Sequence, residues 1–154
     1  MSDNKIDAGI KWRNDIYVKG KKISGILIDS VQLGQKKDYV LYSVGINVET
    51  SDPKFINMRE VLGGEAGDDL LTKVVLVFLD QFSIYYKRFQ NNDFSVNEID
   101  FLFKNEEVTI LEKVSRKFQG SGQFLGVDEN GFALLKNGEE VNKFHDGSMI
   151  IKSL

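Results

Sequence analysis

The chain has no cysteine among its 154 residues. Disulfides, thiol nucleophiles and thiolate metal cages are therefore excluded. The single histidine, His145, cannot supply a zinc cage either. Proline is almost as scarce: Pro53 is the only one, so breaks in regular structure fall to glycine and polar turns. An excess of one charge sign is also missing. The 20 Lys and Arg against 23 Asp and Glu give a formal net charge of −3. That balance offers no electrostatic footprint for nucleic acid or an anionic membrane. The longest apolar run, near Val74 to Leu79, falls far short of the roughly 20 residues a membrane helix needs. Met1 to Ala8 is polar and has no signal-peptide core. An intracellular, cytoplasmic protein is the default expectation.

What is present suits a folded protein. Hydrophobic residues make up 42% and charged residues 28%, which is close to the globular average and enough to bury a core. The chemistry must rest on Lys, Arg, Asn, Asp and backbone groups.

Ile16 and Val18, then Ile23 to Ile28, then Val40 to Val48 form β-branched and aromatic runs. They are separated by Lys19-Gly20-Lys21 and by Gly34 to Asp38, which are hairpin signals. The longer runs are apolar at consecutive positions, the pattern of central strands covered on both faces. A helical cover is expected at Asp69 to Phe89, where Leu70, Val74, Phe78, Phe82 and Phe89 follow helical spacing, with Asp68 or Asp69 as cap. Pro53 to Gly67, with the Gly63-Gly64 pair, predicts a loop or short helix, and Val96 to Lys104 a further short helix. From Glu107 onward short strands follow one another, joined by turns at Asp128 to Gly131, Lys136 to Glu139 and Asp146-Gly147. About 50 residues of this kind predict a small five-stranded barrel of SH3-like type. The expected class is α+β, with residues 1–104 as one domain and 105–154 as the barrel.

The most informative stretch runs Ile10-Lys11-Trp12-Arg13-Asn14-Asp15-Ile16, then Gly20-Lys21-Lys22-Ile23-Ser24-Gly25-Ile26-Leu27-Ile28, then Val44-Gly45-Ile46-Asn47-Val48. It places Lys11, Asn14, Asp15, Lys22 and Asn47 at strand ends or edges. Polar groups among apolar strands are costly unless paired, so these either bond one another or face a ligand. Gly25 and Gly45 inside strands suggest close approach of a backbone or ligand. Two lysines with an amide suit a phosphate ester and a purine. From spacing alone the plainer alternative stands beside this: solvated strand-end lysines and an ordinary Asn14-Asp15 turn. Periodicity does not choose between them.

The order Lys-Trp-x-Asn-Asp-Ile, Gly-Lys-Lys-Ile-x-Gly-Ile-Leu-Ile and Gly-Ile-Asn-Val resembles the signature of biotin protein ligases, called holocarboxylase synthetases in eukaryotes. Tyr85 to Phe89 resembles the helix leading into the family's last module. Val127 to Phe132 with His145 to Ser148 resembles that module in its eukaryotic form. The resemblance implies a partial class II synthetase-like mixed sheet followed by the SH3-like barrel. It also implies a biotin-[acetyl-CoA-carboxylase] ligase activity. Biotin and Mg2+-ATP give biotinyl-5′-adenylate, and a lysine of a carrier protein then takes the biotin. The partners implied are biotin-carrier domains of carboxylases such as acetyl-CoA carboxylase.

By the same resemblance Lys22 contacts both the biotin carboxylate and the phosphate, and Asp15 lies by the reacting centre. Lys11 and Asn14 lie beside the triphosphate and metal, Asn47 lies against adenine, and backbone at Gly25 and Gly45 lines biotin. No metal ligand is assigned among the side chains.

Two departures stand out. Arg13 occupies the place where the family usually has proline, adding a cation near the phosphates. The family's Gly-Arg-Gly-rich loop and the Ser/Thr and Gln residues that hold biotin's ring precede the Lys-Trp motif by many residues, whereas only Met1 to Gly9 precede it here. The expectation is half a site, in a fragment or the product of a truncated gene, with a homodimer or a missing amino-terminal half among the expected partners. The alternative is a non-catalytic relic or adaptor that uses the barrel as a protein-binding module.

Four smaller features have plainer explanations. Gly120-Ser121-Gly122 with Gly126 has no following helix and is expected as a barrel turn. Glu65, Asp68 and Asp69 are expected to cap a helix rather than bind metal. His145 beside Asp146-Gly147 is expected to be structural. Lys19 to Lys22 is by default a hairpin tip.

Overall fold

The computed structural model describes residues 6–32, 38–63 and 67–151. The expected turn at Gly34 to Lys37 and the residues Gly64 and Glu65 lie outside the described residues. The chain divides into two compact units. One comprises Met1–Ala8 and Asn14–Leu71, and the other Gly9–Arg13 and Thr72–Leu154. The α+β class expected from the sequence is what forms.

In the first unit, β2 (Asp15–Val18), β3 (Lys21–Gln32) and β4 (Asp38–Ile46) make an antiparallel sheet. β2 turns into β3 through Lys19 and Gly20, both at positive φ (50° and 74°). Two such residues make the tight turn whose twist matches that of the flanking strands. The core of this unit is Val18, Ile23 and Ile56, with Ile16, Met58 and Val61 packed against it. Beyond the sheet a short helix, α1 (Met58–Val61), starts at Asn57, whose Oδ1 accepts from Glu60 N at 2.9 Å. Asn57 is buried, and this bond satisfies one of the helix's open donors.

The distal half of the β3–β4 ribbon is exposed on both faces, including Leu27, Ile28, Val40 and Leu41. The expected helix forms as α2 (Leu70–Gln90), and most of it belongs to the second unit. Its aromatic residues stack at four-residue spacing, Phe78 on Phe82 at 5.9 Å and Phe82 on Tyr86 at 5.7 Å between centroids. Only Leu70 of α2 is buried.

The second unit contains a five-stranded antiparallel sheet in the order β8-β7-β6-β5-β9. Its strands are β5 (Glu107–Leu111), β6 (Phe118–Val127), β7 (Ala133–Asn137), β8 (Glu140–Phe144) and β9 (Ser148–Ile151). Its core holds Val108, Ile110, Phe124, Ala133, Leu135 and Met149 together with Trp12. Trp12 comes from the end of β1 (Ala8–Lys11), far away in sequence, and its Nε1 donates to Gly131 O at 3.0 Å. The only tryptophan is thus sunk into the carboxy-terminal sheet.

Two expectations are corrected here. Val96 to Lys104 is not a helix: a three-residue 3-10 turn, Val96–Glu98, is capped by Ser95 and then the chain extends. Extension lets Ile10 N donate to Asp100 O and Leu102 N donate to Ile10 O, both at 2.9 Å, while Phe101 and Phe103 reach the core. Tertiary pairing overrides the weak helical pattern. Gly120-Ser121-Gly122 is not a turn but the middle of β6. A Cβ on Gly122 would lie 2.5 Å from Lys136 O, so the neighbouring strand approaches too closely for any side chain there.

Candidate active site

The sequence motifs converge on the β2–β3 hairpin and the end of β4. Asp15 lies opposite Gly25, Ile16 opposite Ser24, and Tyr17 opposite Lys22, so Ile23 is an extra residue on β3. In a regular strand Lys22 and Gly25, three apart, would face opposite sides of the sheet. The bulge at Ile23 resets that alternation while Ile23 itself enters the core. Lys22 Nζ then meets Asp15 Oδ1 at 2.6 Å. A Cβ on Gly25 would stand 3.0 Å from that Nζ and 3.2 Å from that Oδ1, so the ion pair lies across the bare backbone of Gly25. Gly45 is opposite Gly25 in register. Asp15, Gly25 and Gly45 therefore form one row across three strands, with side-chain-free backbone beside a charged pair.

The two asparagines hold this row in place. Asn14 Nδ2 donates to Ile26 O, and Ile26 N donates to Asn14 O at 2.9 Å. Asn47 N donates to Ile23 O at 2.9 Å, and its side-chain Nδ2 lies 3.4 Å from Lys22 O and from Ile56 O. The segment Phe55–Asn57 runs beside Lys22 where β4 has ended: Ile56 N donates to Lys22 O at 3.1 Å and Met58 N to Asn47 O at 2.8 Å. Lys22, Asp15, Asn14, Asn47, Gly25 and Gly45 are thus brought together in the first unit. Lys11 lies on β1 in the second unit. Arg13 is in the second unit too, with Nη1 2.9 Å from Asp146 Oδ1. The Trp12–Arg13 peptide is cis.

Sequence reasoning missed two features. Tyr17, opposite Lys22, has its phenol pushed up from the usual range, first by burial and then by the Asp15 charge, so it stays protonated. Its only signal was its place two residues after Asp15. The second is a cavity of about 780 Å³ lined by Glu49, Thr50, Ser51, Asn57, Arg59 and Glu60. Arg59 Nε and Glu49 Oε1 pair across it at 2.8 Å. The single proline drew attention to this loop but not to its walls.

Among the described residues no group of three His, Cys, Asp or Glu side chains is placed to hold a metal ion. No helix among the described residues is long and apolar enough to cross a membrane.

Residues 2–47 match the model of the biotin/lipoate A/B protein ligase family. The chain is 31% identical over 137 residues to biotin–protein ligase 1, chloroplastic, of Arabidopsis thaliana, covering 84% of this chain and 37% of that protein. It is 27% identical over 152 residues to the bifunctional ligase/repressor BirA of Bacillus subtilis, covering 94% of this chain and 46% of that one. Among solved structures, the apo biotin protein ligase of Aquifex aeolicus matches with a TM-score of 0.77 at 25% identity, over 97% of this chain and 67% of that one. The same enzyme in complex with biotin and ATP matches with a TM-score of 0.73 at 25% identity, over 97% and 63%. The chain thus spans less than half the length of these two curated relatives. Motif order, fold and relatives agree: over nearly its whole length the chain is similar to biotin protein ligases.

Proposed function

We propose that this chain carries the nucleotide-side part of a biotin-[acetyl-CoA-carboxylase] ligase active site. The observation that carries the proposal is the Lys22–Asp15 pair lying over Gly25 inside the family-matched segment. In the first step a biotin carboxylate oxygen attacks the α-phosphorus of ATP. The bond to the β-phosphate oxygen breaks, leaving biotinyl-5′-adenylate and pyrophosphate. Two anions must approach one another, so a fixed cation between them is worth most where charge builds up. Lys22 is that cation: its ammonium leaves Asp15 and bridges the carboxylate and the α-phosphate. Gly25 and Gly45 leave room for biotin against backbone. Asn14 lies beside the triphosphate, and Asn47 turns its amide to adenine. Mg2+ enters with the nucleotide rather than as a resident ion.

In the second step the neutral amine of a carrier lysine attacks the acyl carbon, the bond to AMP breaks, and AMP leaves. Asp15, freed from Lys22, is placed to take the proton released by the amine. The acceptors are biotin-carrier domains of carboxylases such as acetyl-CoA carboxylase. A cytoplasmic setting, where ATP is plentiful, is part of the same proposal.

Calorimetry with biotinyl-5′-adenylate tests this reading. Saturable binding that is weakened by Lys22→Ala supports it. Absence of binding favours a non-catalytic relic or adaptor.

A further inference from the structure

Two asparagines of the chain are followed by glycine, Asn130-Gly131 and Asn137-Gly138. Both are exposed and both stand at turns of the carboxy-terminal sheet. An asparagine before glycine carries a reaction of its own. The backbone N of the glycine can attack the asparagine Cγ, because the glycine has no side chain to hinder the approach. A C–N bond forms, the side-chain amide nitrogen leaves as ammonia with the proton of the backbone N–H, and a succinimide ring closes. Water then opens the ring at either carbonyl, giving aspartate or its β-linked isomer isoaspartate. The attack needs a glycine N–H that is not held elsewhere and a peptide that can rotate.

The two turns differ in that respect. Gly131 N donates to Asp128 O at 2.9 Å, and Gly131 O accepts from the buried Trp12 Nε1 at 3.0 Å. Asp128 Oδ1 accepts from Asn130 N at 2.9 Å and from Phe132 N at 3.0 Å, so this dipeptide is held on both sides. In the β7–β8 hairpin Asn137 pairs with Glu140, which leaves Gly138 and Glu139 as a two-residue loop, with Gly138 at a φ of 64°. Glycine is the residue such a first corner position calls for, and it lies outside the ladder. Among the described residues Gly138 N donates to no backbone carbonyl and the Asn137 side chain has no hydrogen-bond partner. A Cβ at Gly138 would meet nothing within 4 Å, so the corner stands in open space.

We propose that Asn137 is a site of spontaneous modification to aspartate and isoaspartate, while the same dipeptide at Asn130 is protected by the hydrogen bonds of its turn. The conversion acts on β8. Among the described residues β8 is an edge strand held by β7 alone. A carboxylate at position 137 stands directly opposite Glu140, and like charges so placed destabilise a strand pair. The isoaspartate form also lengthens the main chain at the corner that sets the register. β8 therefore loosens as the protein ages, and with it the ion pair of its Lys143 to Asp128.

The test incubates the full chain in mildly alkaline buffer, folded and in parallel in urea, and follows both Asn-Gly peptides by peptide mapping with mass spectrometry. In the folded chain Asn137 should convert at least about fivefold faster than Asn130, the factor carried by one hydrogen bond that must break first. In urea the two rates should be alike. The converted chain, separated by its added negative charge, should exchange backbone hydrogens faster at residues 140–144. Asn137→Ser incubated in the same way should not. Equal rates in the folded chain, no conversion at Asn137, or faster conversion at Asn130 would overturn the proposal. So would a preference for Asn137 that persists unchanged in urea, because the local sequence and not the turn would then set it. Unchanged exchange in the converted chain would overturn the effect on β8.

Discussion

Lys22 Nζ and Asp15 Oδ1 meet at 2.6 Å across the bare backbone of Gly25. Both side chains are about one-third exposed, so the pair contributes on the order of 1 kcal/mol or less to folding. Its consequence is positional: it parks a mobile ammonium where a carboxylate or phosphate could take Asp15's place. Asp15→Asn should therefore leave the melting temperature within a few degrees of wild type. It should slow transfer from preformed biotinyl-5′-adenylate to a carrier lysine by about 10²-fold, the range of a lost general base. Single-turnover transfer measured beside a thermal melt checks both. A large loss of stability with normal transfer would assign Asp15 a structural role only.

Gly25→Ala tests the row of bare backbone. The added methyl would stand 3.0 Å from Lys22 Nζ and 3.2 Å from Cε, the far end of a flexible side chain, which can swing away. The fold should tolerate the change, with a stability loss of about 1 kcal/mol or less. Affinity for biotinyl-5′-adenylate should fall by about tenfold or more, because both the space and the lysine are displaced. Calorimetry reads the affinity and chemical denaturation the stability.

The bulge that makes this geometry was not legible in the sequence. The order of the three motifs was, since each polar residue stands beside glycine or within an apolar run. The alternation rule applied to Lys22 and Gly25, though, puts them on opposite faces, and only the extra residue Ile23 in the register brings them together. α2 was legible from its spacing over five turns, and the asparagine–glycine and aspartate–glycine turns marked the carboxy-terminal strands. Val96 to Lys104 was misread because Val96, Ile99 and Phe103 stand at helical spacing while Ile99, Phe101 and Phe103 alternate as in an extended segment. Pairing with Ile10, some 90 residues earlier in the chain, decided between them. The same long-range dependence hid Trp12, which reads as part of the ligand motif but packs in the core of the last sheet.

Trp12→Ala should destabilise the second unit by about 3–5 kcal/mol, the usual cost of emptying a large buried aromatic site. Trp12→Phe should cost less. It keeps most of the apolar contact but loses the Nε1 bond to Gly131 O, worth about 1 kcal/mol. Urea denaturation followed by circular dichroism separates the two, and equal stability of Trp12→Ala and wild type would contradict the packing described.

Ser24 is buried, and among the described residues its Oγ has no hydrogen-bond partner. Removing an unpaired hydroxyl from such a place costs little, so Ser24→Ala should melt at or slightly above the wild-type temperature. A drop of more than about 1 kcal/mol would mean that the hydroxyl is bonded.

Stability should fall at both ends of the pH range, for different groups. Asp128 is held below the usual carboxylate range, first by the hydrogen bond from Lys143 and also by the backbone N–H groups of Phe132 and Asn130. Its contribution is present above the unfolded value of about 3.9 and is lost as pH falls through the lower folded value. Tyr17 is raised by burial and by Asp15, so its contribution is present below about pH 10 and is lost as pH rises through the higher folded value. Asp128→Asn should flatten the acid limb of a melting-temperature profile and Tyr17→Phe the alkaline limb. Variants with unchanged limbs would contradict these assignments.

The role of Lys22 is the central claim, and adenylate formation measures it most directly. Mixed with the part of the Aquifex ligase that has no counterpart here, and given biotin and Mg2+-ATP, the chain should release pyrophosphate and accumulate biotinyl-5′-adenylate. Lys22→Ala should cut that rate by about 10²- to 10³-fold, the cost of losing one fixed group at a developing charge. A Lys22→Ala chain that forms adenylate at the wild-type rate would contradict the account.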